Sequence, residues 1–235
     1  AQPAIGRFAN GQWLAVFGNG YNSNTGINGD SNLSDDAEAV LFLVNIETGE
    51  LVAKLRSHQG MAQDPLGQNR PNGFSEASLV DVDFDGIVDQ IFVGDFFGNV
   101  FAFDVTQKSP GLWQTLIGPK ASPKPVVAGE LLNNMPITIR PSVTFNPLDN
   151  SIHLIVGTGE DITRNGTSGI NSLIGFKVTD QAIDSLNSLQ EYKLVTAGSD
   201  GLQIQAQPNP ALPPLGQARG WYMRLEGVAN AMKVT

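Results

Sequence analysis

The residues best suited to chemistry lie in one short acidic segment near the middle of the chain. Four aspartates and a glycine occupy positions 1, 3, 5, 9 and 6 of this nine-residue segment: Asp81, Asp83, Asp85, Asp89 and Gly86. This alternation is the ligand pattern of an EF-hand-type calcium loop, in which Ile87 at position 7 contributes its backbone carbonyl. Carboxylates at this spacing repel one another unless a cation lies among them. We therefore predict that Ca²⁺ binds the four aspartates and the Ile87 carbonyl.

The segment differs from a helical calcium sensor at its far end. Phe92 stands at the twelfth position, where an EF-hand has a bidentate glutamate. The apolar residues at 90–94 favour a strand over a helix. We therefore expect a calcium loop inserted into β-structure. The alternative is an acidic Asp-Gly turn that binds no metal.

Composition limits the class of protein. The chain has 235 residues with 26 Gly, 14 Pro and 16% charged residues, which is typical of a turn-rich, soluble β protein. A net charge of -9 argues against nucleic-acid binding, because phosphate recognition needs clustered Lys and Arg. The absence of cysteine excludes disulfides and thiolate metal sites. No apolar run approaches the roughly 18 residues of a membrane-spanning helix, so we expect no membrane span.

A repeated pair of apolar strands indicates the architecture. The first strand of each pair ends in glycine, and these strands lie at residues 13–18, 90–94 and 153–157. The second strands lie at residues 40–46, 100–105 and 173–178. Further strand candidates flank each pair, and four short antiparallel strands per unit are typical of propeller blades. We expect each closing glycine to allow a sharp turn at the rim.

The predicted fold is therefore all-β: a β-propeller of four-stranded antiparallel blades, with a two-sheet sandwich as the alternative. The expected units are approximately residues 1–56, 75–118 and 137–200, with 217–235 beginning a further blade. Propellers typically have about four to eight blades, so three cannot close a ring. We expect an incomplete propeller or a fragment, whose remaining blades come from chain segments missing here.

Segments spread along the whole chain carry a family resemblance. The chain resembles the C-terminal β-propeller domain of the PilY/PilC family of type IV pilus assembly proteins and tip-associated adhesins. The matching segments occur in the family's order, at residues 2–22, 81–104, 136–143, 156–160 and 220–225.

The resemblance implies a non-enzymatic protein exported to the bacterial cell surface, at the pilus tip or outer membrane. It implies pilus machinery or minor pilins as partners, and possible host-surface molecules as adhesion targets. It also implies that calcium regulates pilus extension against retraction, and with it surface motility and attachment. Carried over to this chain, the calcium ligands are Asp81, Asp83, Asp85, Asp89 and the Ile87 carbonyl.

Two alternative functions come from other propeller classes. Quinoprotein-like dehydrogenases are propellers with a bound calcium, but their ion lies centrally against a large cofactor. Consecutive carboxylates in one loop instead build a self-contained site. The second alternative is an integrin-like propeller whose acidic loops are structural and whose rim binds a protein partner.

Other polar residues are weaker candidates for a site. The segment from Asp30 to Asp36 is rich in oxygen ligands but lacks the sixth-position glycine, so a solvated loop is favoured over a second ion. The pair Glu160 and Asp161 is better explained by loop solvation than by catalysis. We expect structural roles for His58 and His153. The tripeptide 165–167 matches a glycosylation sequon, but so short a match is weak evidence of modification.

Overall fold

Three β-sheets contain every strand in the part of the chain that the structure describes. The computed structural model describes residues 2–20, 37–159, 170–196, 202–207 and 218–225. The first sheet consists of β1 (Ala4–Arg7), β2 (Trp13–Gly18), β3 (Val40–Asn45) and β4 (Leu51–Arg56). The second consists of β5 (Phe74–Val80), β6 (Gln90–Asp95), β7 (Val100–Asp104) and β8 (Gln114–Thr115).

The third sheet is larger than the other two. Its strands are β9 (Ser142–Phe145), β10 (Ile152–Gly157), β11 (Ser172–Lys177), β12 (Gln190–Thr196), β13 (Leu202–Ala206) and β14 (Gly220–Arg224). The helices of the described chain are short 3₁₀ segments at Met61–Gln63, Pro110–Leu112, Gly129–Leu132 and Leu186–Ser188. None of the helices in these ranges is long and apolar enough to cross a bilayer.

The sheet topology confirms the predicted all-β class. The first two sheets follow the chain in simple order, β1-β2-β3-β4 and β5-β6-β7-β8, with every pair antiparallel. These are the four-stranded meanders expected of propeller blades. The third sheet has six strands in the order β13-β12-β14-β11-β10-β9. The prediction of four strands per blade therefore fits two sheets and not the third.

The last strand differs from the sequence prediction. Residues 217–235 were expected to begin a further blade, but β14 pairs antiparallel with β11 and parallel with β12 in the third sheet. Gly175 of β11 lies opposite Trp221 of β14, and a Cβ at Gly175 would overlap the indole ring. The bare glycine thus provides the space that the large ring needs. The strands β9, β10, β11 and β14 thus form four adjacent antiparallel strands, and the chain segment that contains β12 and β13 is inserted between β11 and β14.

Apolar side chains pack the sheets face to face in two layers. One core cluster joins the first sheet to the second and includes Phe8, Leu14, Val16, Leu41, Phe74, Ile91, Val93, Phe101 and Trp113. The other joins the second sheet to the third and includes Phe92, Val100, Ala102, Ile137, Leu154, Ile174 and Phe176. Strand β6 contributes to both clusters, which explains its continuous apolar sequence.

The opposite face of the first sheet is apolar but only partly covered. Phe17 and Phe42 are cross-strand partners with ring centroids 5.8 Å apart, and the Lys54 ammonium lies 5.5 Å from the Phe42 ring. Trp13, two residues before Ala15 on the same face, is 53% exposed. This surface has the composition of an inter-sheet contact, although no described residue packs it as the second sheet packs the other face.

Two of the strand-closing glycines serve close packing and not a turn. Neither Gly18 nor Gly94 has a positive φ. A Cβ at Gly18 would overlap the carbonyl oxygen of Phe74 in the second sheet, and a Cβ at Gly94 would overlap the side chain of Ile137. Gly18 therefore lets the first and second sheets approach closely, and Gly94 leaves room for the buried Ile137 side chain.

We predict that Gly18→Ala lowers the free energy of unfolding by about 1 to 3 kcal/mol, the usual cost of overpacking. The clash is with backbone, which cannot rotate away as a side chain can. Gly111→Ala is the matched control, because its nearest contact is the Ser109 hydroxyl at 3.8 Å. Urea denaturation of the two variants would measure the difference, and equal stabilities would contradict the packing role.

Candidate metal centre

The acidic loop at 81–89 connects β5 to β6 at one end of the second sheet. It begins directly after Val80, the last residue of β5, and it ends before Gln90, the first residue of β6. The amide of Asp89 donates to the carbonyl of Val80 at 2.9 Å, so the loop closes on itself. The structure therefore places the predicted ligands within one tight connection between paired strands.

The aspartates hydrogen-bond to backbone amides of their own loop. Asp81 accepts from the amides of Asp85 and Gly86 at 3.1 and 2.7 Å, one with each carboxylate oxygen. Asp85 accepts from the amide of Ile87 at 2.7 Å. Asp89 accepts from the amide of Val82 at 2.7 Å. These bonds wrap the backbone around the carboxylates, which is the local reason for the Asp-rich sequence.

Three of the four aspartates converge. Asp81, Asp83 and Asp89 each present a carboxylate oxygen, and these oxygens all lie within 4.8 Å of one another. Calcium binds oxygen at 2.3–2.6 Å, so two ligands of one ion are at most about 5 Å apart. The spacing therefore fits one calcium ion. No other cluster of three acidic or histidine ligands occurs in the described ranges.

The other two predicted ligands are not part of this cluster. One oxygen of Asp85 already accepts the Ile87 amide, and Asp85 does not belong to the convergent group. The Ile87 carbonyl and Asp85 thus remain predicted ligands. Asp85, at position 5 of the motif, shows why spacing alone does not identify a ligand. The same carboxylate can accept a backbone hydrogen bond in the turn or point towards the other carboxylates.

The electrostatics of the loop favour a cation. Burial raises the pKa of Asp89, the hydrogen bond from Val82 opposes this, and the charges of Asp83, Asp81 and Asp85 raise it further. Within the described chain, no lysine, arginine or histidine forms a salt bridge with these aspartates. The negative charges are therefore compensated by backbone amides alone, which leaves repulsion that a divalent ion would relieve.

The loop also touches both neighbouring sheets. The amide of Val88 donates to the carbonyl of Arg7 at 2.8 Å, just beyond which Phe8 forms an isolated bridge with Val88. On the other side, the ring of Phe84 lies 5.1 Å from that of Phe145 in β9, measured between centroids. A single loop of the second sheet is therefore in contact with the first and third sheets.

A second group of polar residues, which the sequence did not indicate, surrounds the buried carboxylate of Asp95 at the opposite end of β6. One oxygen accepts from the amides of Phe97 and Asn99 at 3.0 and 2.8 Å. The other accepts from the side-chain amides of Asn72 and Asn99 at 3.0 and 2.8 Å. Burial raises the pKa of Asp95 to about 6, against the opposing effect of these donors. Since four donors satisfy both carboxylate oxygens, we interpret this cluster as structural.

A third carboxylate organises the long connection between the first and second sheets. Asp64 accepts from the backbone amides of Leu66, Gln68 and Arg70, and from the guanidinium of Arg70. Although burial raises the pKa of Asp64, the Arg70 side chain and the amides lower it to about 2. The guanidinium also lies 5.4 Å from the centre of the Phe97 ring. This connection is therefore folded around the ion pair of Asp64 and Arg70.

Neither histidine belongs to the convergent acidic group. The backbone amide of His58 donates to Glu38 at 2.8 Å, and the ring of His153 lies 3.1 Å from the Ser151 hydroxyl. The other weaker candidates lie outside the described residues: the segment Asp30 to Asp36, the pair Glu160 and Asp161, and the sequon at 165–167.

Comparison with known proteins gives a consistent set of relatives. A family model described as the PilY1 beta-propeller domain matches residues 1–191. The type IV pilus biogenesis factor PilY1 of Pseudomonas aeruginosa (strain UCBPP-PA14) is 30% identical over 212 residues, which cover 80% of this chain and 17% of the relative. A type IV pilus biogenesis factor PilY1 homolog of Xylella fastidiosa is 37% identical over 116 residues, which cover 48% of this chain and 7% of the relative.

A solved structure supports the fold. The crystal structure of the Pseudomonas aeruginosa PilY1 C-terminal domain superposes with a TM-score of 0.71 at 22% sequence identity. The match covers 95% of this chain and 49% of that structure. The chain thus spans about half of the solved domain and under a fifth of the curated relatives it matches.

We predict that Asp95 makes stability fall as the pH rises from about 4 to about 6. Its pKa is about 6 in the folded chain and its ordinary value is 3.8, so the folded state binds the extra proton in this interval. The change is on the order of 2 to 3 kcal/mol. Asp95→Asn removes this titration, whereas the other carboxylates titrate in both chains. Urea denaturation at several pH values should show the wild-type advantage shrinking as pH rises; a constant difference would contradict the prediction.

Proposed function

We propose, because the chain belongs to the PilY1 β-propeller family, that it is a calcium-binding propeller domain of a type IV pilus biogenesis factor. The observation that carries the calcium part is the convergence of Asp81, Asp83 and Asp89 within 4.8 Å in one closed loop. The pilus part follows from the names of its relatives, which are type IV pilus biogenesis factors. On this proposal the domain is exported and acts at the bacterial cell surface, at the pilus tip or outer membrane.

The loop residues divide into ligands and supports. Asp81, Asp83 and Asp89 would hold the ion directly, and Asp85 and the Ile87 carbonyl would complete the oxygen set. Bound calcium supplies positive charge that offsets the repulsion among the carboxylates. The backbone amides that already bond to these carboxylates keep the loop closed around the centre. Extracellular calcium modules typically bind with dissociation constants of roughly 10⁻⁴ to 10⁻³ M.

The contacts of the loop suggest how an ion would act on the domain. A ligand that binds only the folded state stabilises it by RT ln(1 + [L]/Kd), about 2.7 kcal/mol at a hundredfold excess over Kd. Because the loop contacts both Arg7 and Phe145, this stabilisation would reach all three sheets. We propose that occupancy thereby regulates pilus extension against retraction, together with surface motility and attachment. Pilus machinery, minor pilins and host-surface molecules are the proposed partners.

A non-enzymatic role agrees best with the position of the loop. Asp83 and Asp85 are exposed, as is the intervening Phe84. A quinoprotein-like dehydrogenase would require its calcium to lie against a large enclosed cofactor, whereas this loop faces outward at a strand connection. The integrin-like alternative shares the geometry of a calcium loop on a propeller and differs in its protein partner.

We further propose that other blades of the same propeller cover the open face of the first sheet. That face carries the stacked pair Phe17 and Phe42 and the exposed Trp13. The related solved domain is about twice as large as the matched region, since the match covers 49% of it. Further sheets packed as the first packs on the second would bury this surface.

We predict that Asp83→Asn weakens calcium binding at least tenfold, because it removes one charged ligand from the convergent group. Asp184→Asn is the matched control, since it makes the same charge change at an exposed aspartate away from the loop. Isothermal titration calorimetry with calcium would compare both variants with the wild type. Equal affinities for the wild type and Asp83→Asn would overturn the proposed site.

For the pilus role, we predict that Asp83→Asn, introduced into the chromosomal gene, alters surface piliation and twitching and removes their response to calcium. The physical reason is that the variant loop no longer gains stability from the ion. Surface pili would be quantified after shearing, at several calcium concentrations, with an Asp184→Asn strain as control. Piliation and twitching that match the wild type at every concentration would refute the regulatory role.

A further inference from the structure

Phe84 adopts a backbone conformation that its side chain disfavours. It lies between Asp83 and Asp85 with φ of 64°, in the left-handed region where glycine and asparagine are the common residues. The side chain is also 66% exposed, so ordinary burial does not explain a large ring at this position. A strained residue that persists at a binding loop indicates that another contact maintains it.

The contact that distinguishes Phe84 is with the third sheet. Its ring lies 5.1 Å from the ring of Phe145, with the two planes inclined at 53°. Phe145 is the last residue of β9, and it is partly buried against the core cluster that joins the second and third sheets. The Phe145 ring is therefore fixed by the core on one side and available to the loop on the other.

We propose that Phe145 is a positioning residue for the calcium loop, acting through Phe84. The inference rests on the proposed calcium site. Phe84 stands between two predicted ligands, so fixing its ring fixes the backbone that carries Asp83 and Asp85. The hydrogen bond from Val88 to Arg7 holds the other half of the loop. Because both halves of the loop are held in place, the loop loses less conformational entropy when the ion binds, and the calcium affinity is higher.

The same contact makes the metal and β9 reciprocally dependent. If the Phe84–Phe145 contact favours the calcium-bound loop, then calcium must favour the contact by the same factor, since binding couplings are reciprocal. Calcium would therefore stabilise the end of β9, on a different sheet from all of its ligands. If the ring pair were purely structural, its loss would not change calcium affinity, and calcium would not stabilise β9.

The variant Phe145→Ala tests the inference without altering the loop sequence. Loss of an aromatic pair of this kind should raise the calcium dissociation constant, measured by calorimetry, about 3- to 10-fold. Phe145→Tyr keeps the ring and should restore near-wild-type affinity. Val143→Ala is the matched control, because Val143 lies two residues earlier on the same face of β9 and packs against the same core cluster. It should leave calcium affinity unchanged.

A double-mutant cycle makes the test specific to the pair. Phe84→Ala keeps a side chain in the strained conformation while removing the ring. In that background, Phe145→Ala should have no further effect on calcium affinity. Hydrogen exchange supplies the reciprocal readout: calcium should slow exchange of the β9 amides in the wild type and not in Phe84→Ala at saturating calcium.

The outcomes separate this inference from the calcium site itself. A wild-type chain without a calcium isotherm would overturn the site and the inference together. A wild type that binds calcium, with Phe145→Ala binding equally well, would overturn the inference alone. So would equal losses in Phe145→Ala and Val143→Ala, because both would then reflect general loosening of the strand.

Discussion

The burial of both faces of β6 is the constraint on which the rest of the structure depends. Ile91 and Val93 point into the core shared with the first sheet, and Phe92 points into the core shared with the third. The second sheet is thereby held rigid between two layers. The acidic loop before Gln90 and the buried carboxylate of Asp95 are therefore both attached to a strand that is packed on both faces.

The two ends of β6 show opposite ways of stabilising negative charge. Asp95 is buried, and backbone and asparagine donors fill both of its oxygens, so it needs no ion. In the loop, Asp81, Asp83 and Asp89 direct oxygens towards one another, and an ion is the natural complement. The residue type is the same in both places. Hydrogen-bond donors surround Asp95, whereas further carboxylates surround the loop aspartates. This difference decides which of the aspartates suit a cation site.

Sequence patterns predicted the features formed by consecutive residues. They did not predict the features that depend on residues distant in the sequence. The spacing of Asp81 to Asp89 located the loop in which three carboxylates converge, because all of its residues are consecutive in the sequence. Around Asp95, the Phe97 and Asn99 donors are local, but Asn72 comes from a distant segment, and no local spacing reveals that contact. The ring contact of Phe84 joins two sheets, and phenylalanine does not indicate a positive φ. The pairing of β14 with β11 depends on where an insertion ends, which periodicity alone cannot show.

That insertion has a consequence for the order of folding. In the first two sheets each strand pairs with its neighbour in sequence, so these sheets can form by successive antiparallel pairings, of which the pairing of β2 with β3 closes the longest connection, from Gly18 to Val40. In the third sheet, Phe176 pairs with Gly220, and the whole intervening segment must be spanned before β11 gains its partner. Long-range pairings of this kind carry a larger entropic cost and form more slowly. During synthesis, β11 therefore keeps one unpaired edge after the first two sheets, including the strands on either side of the acidic loop, are complete.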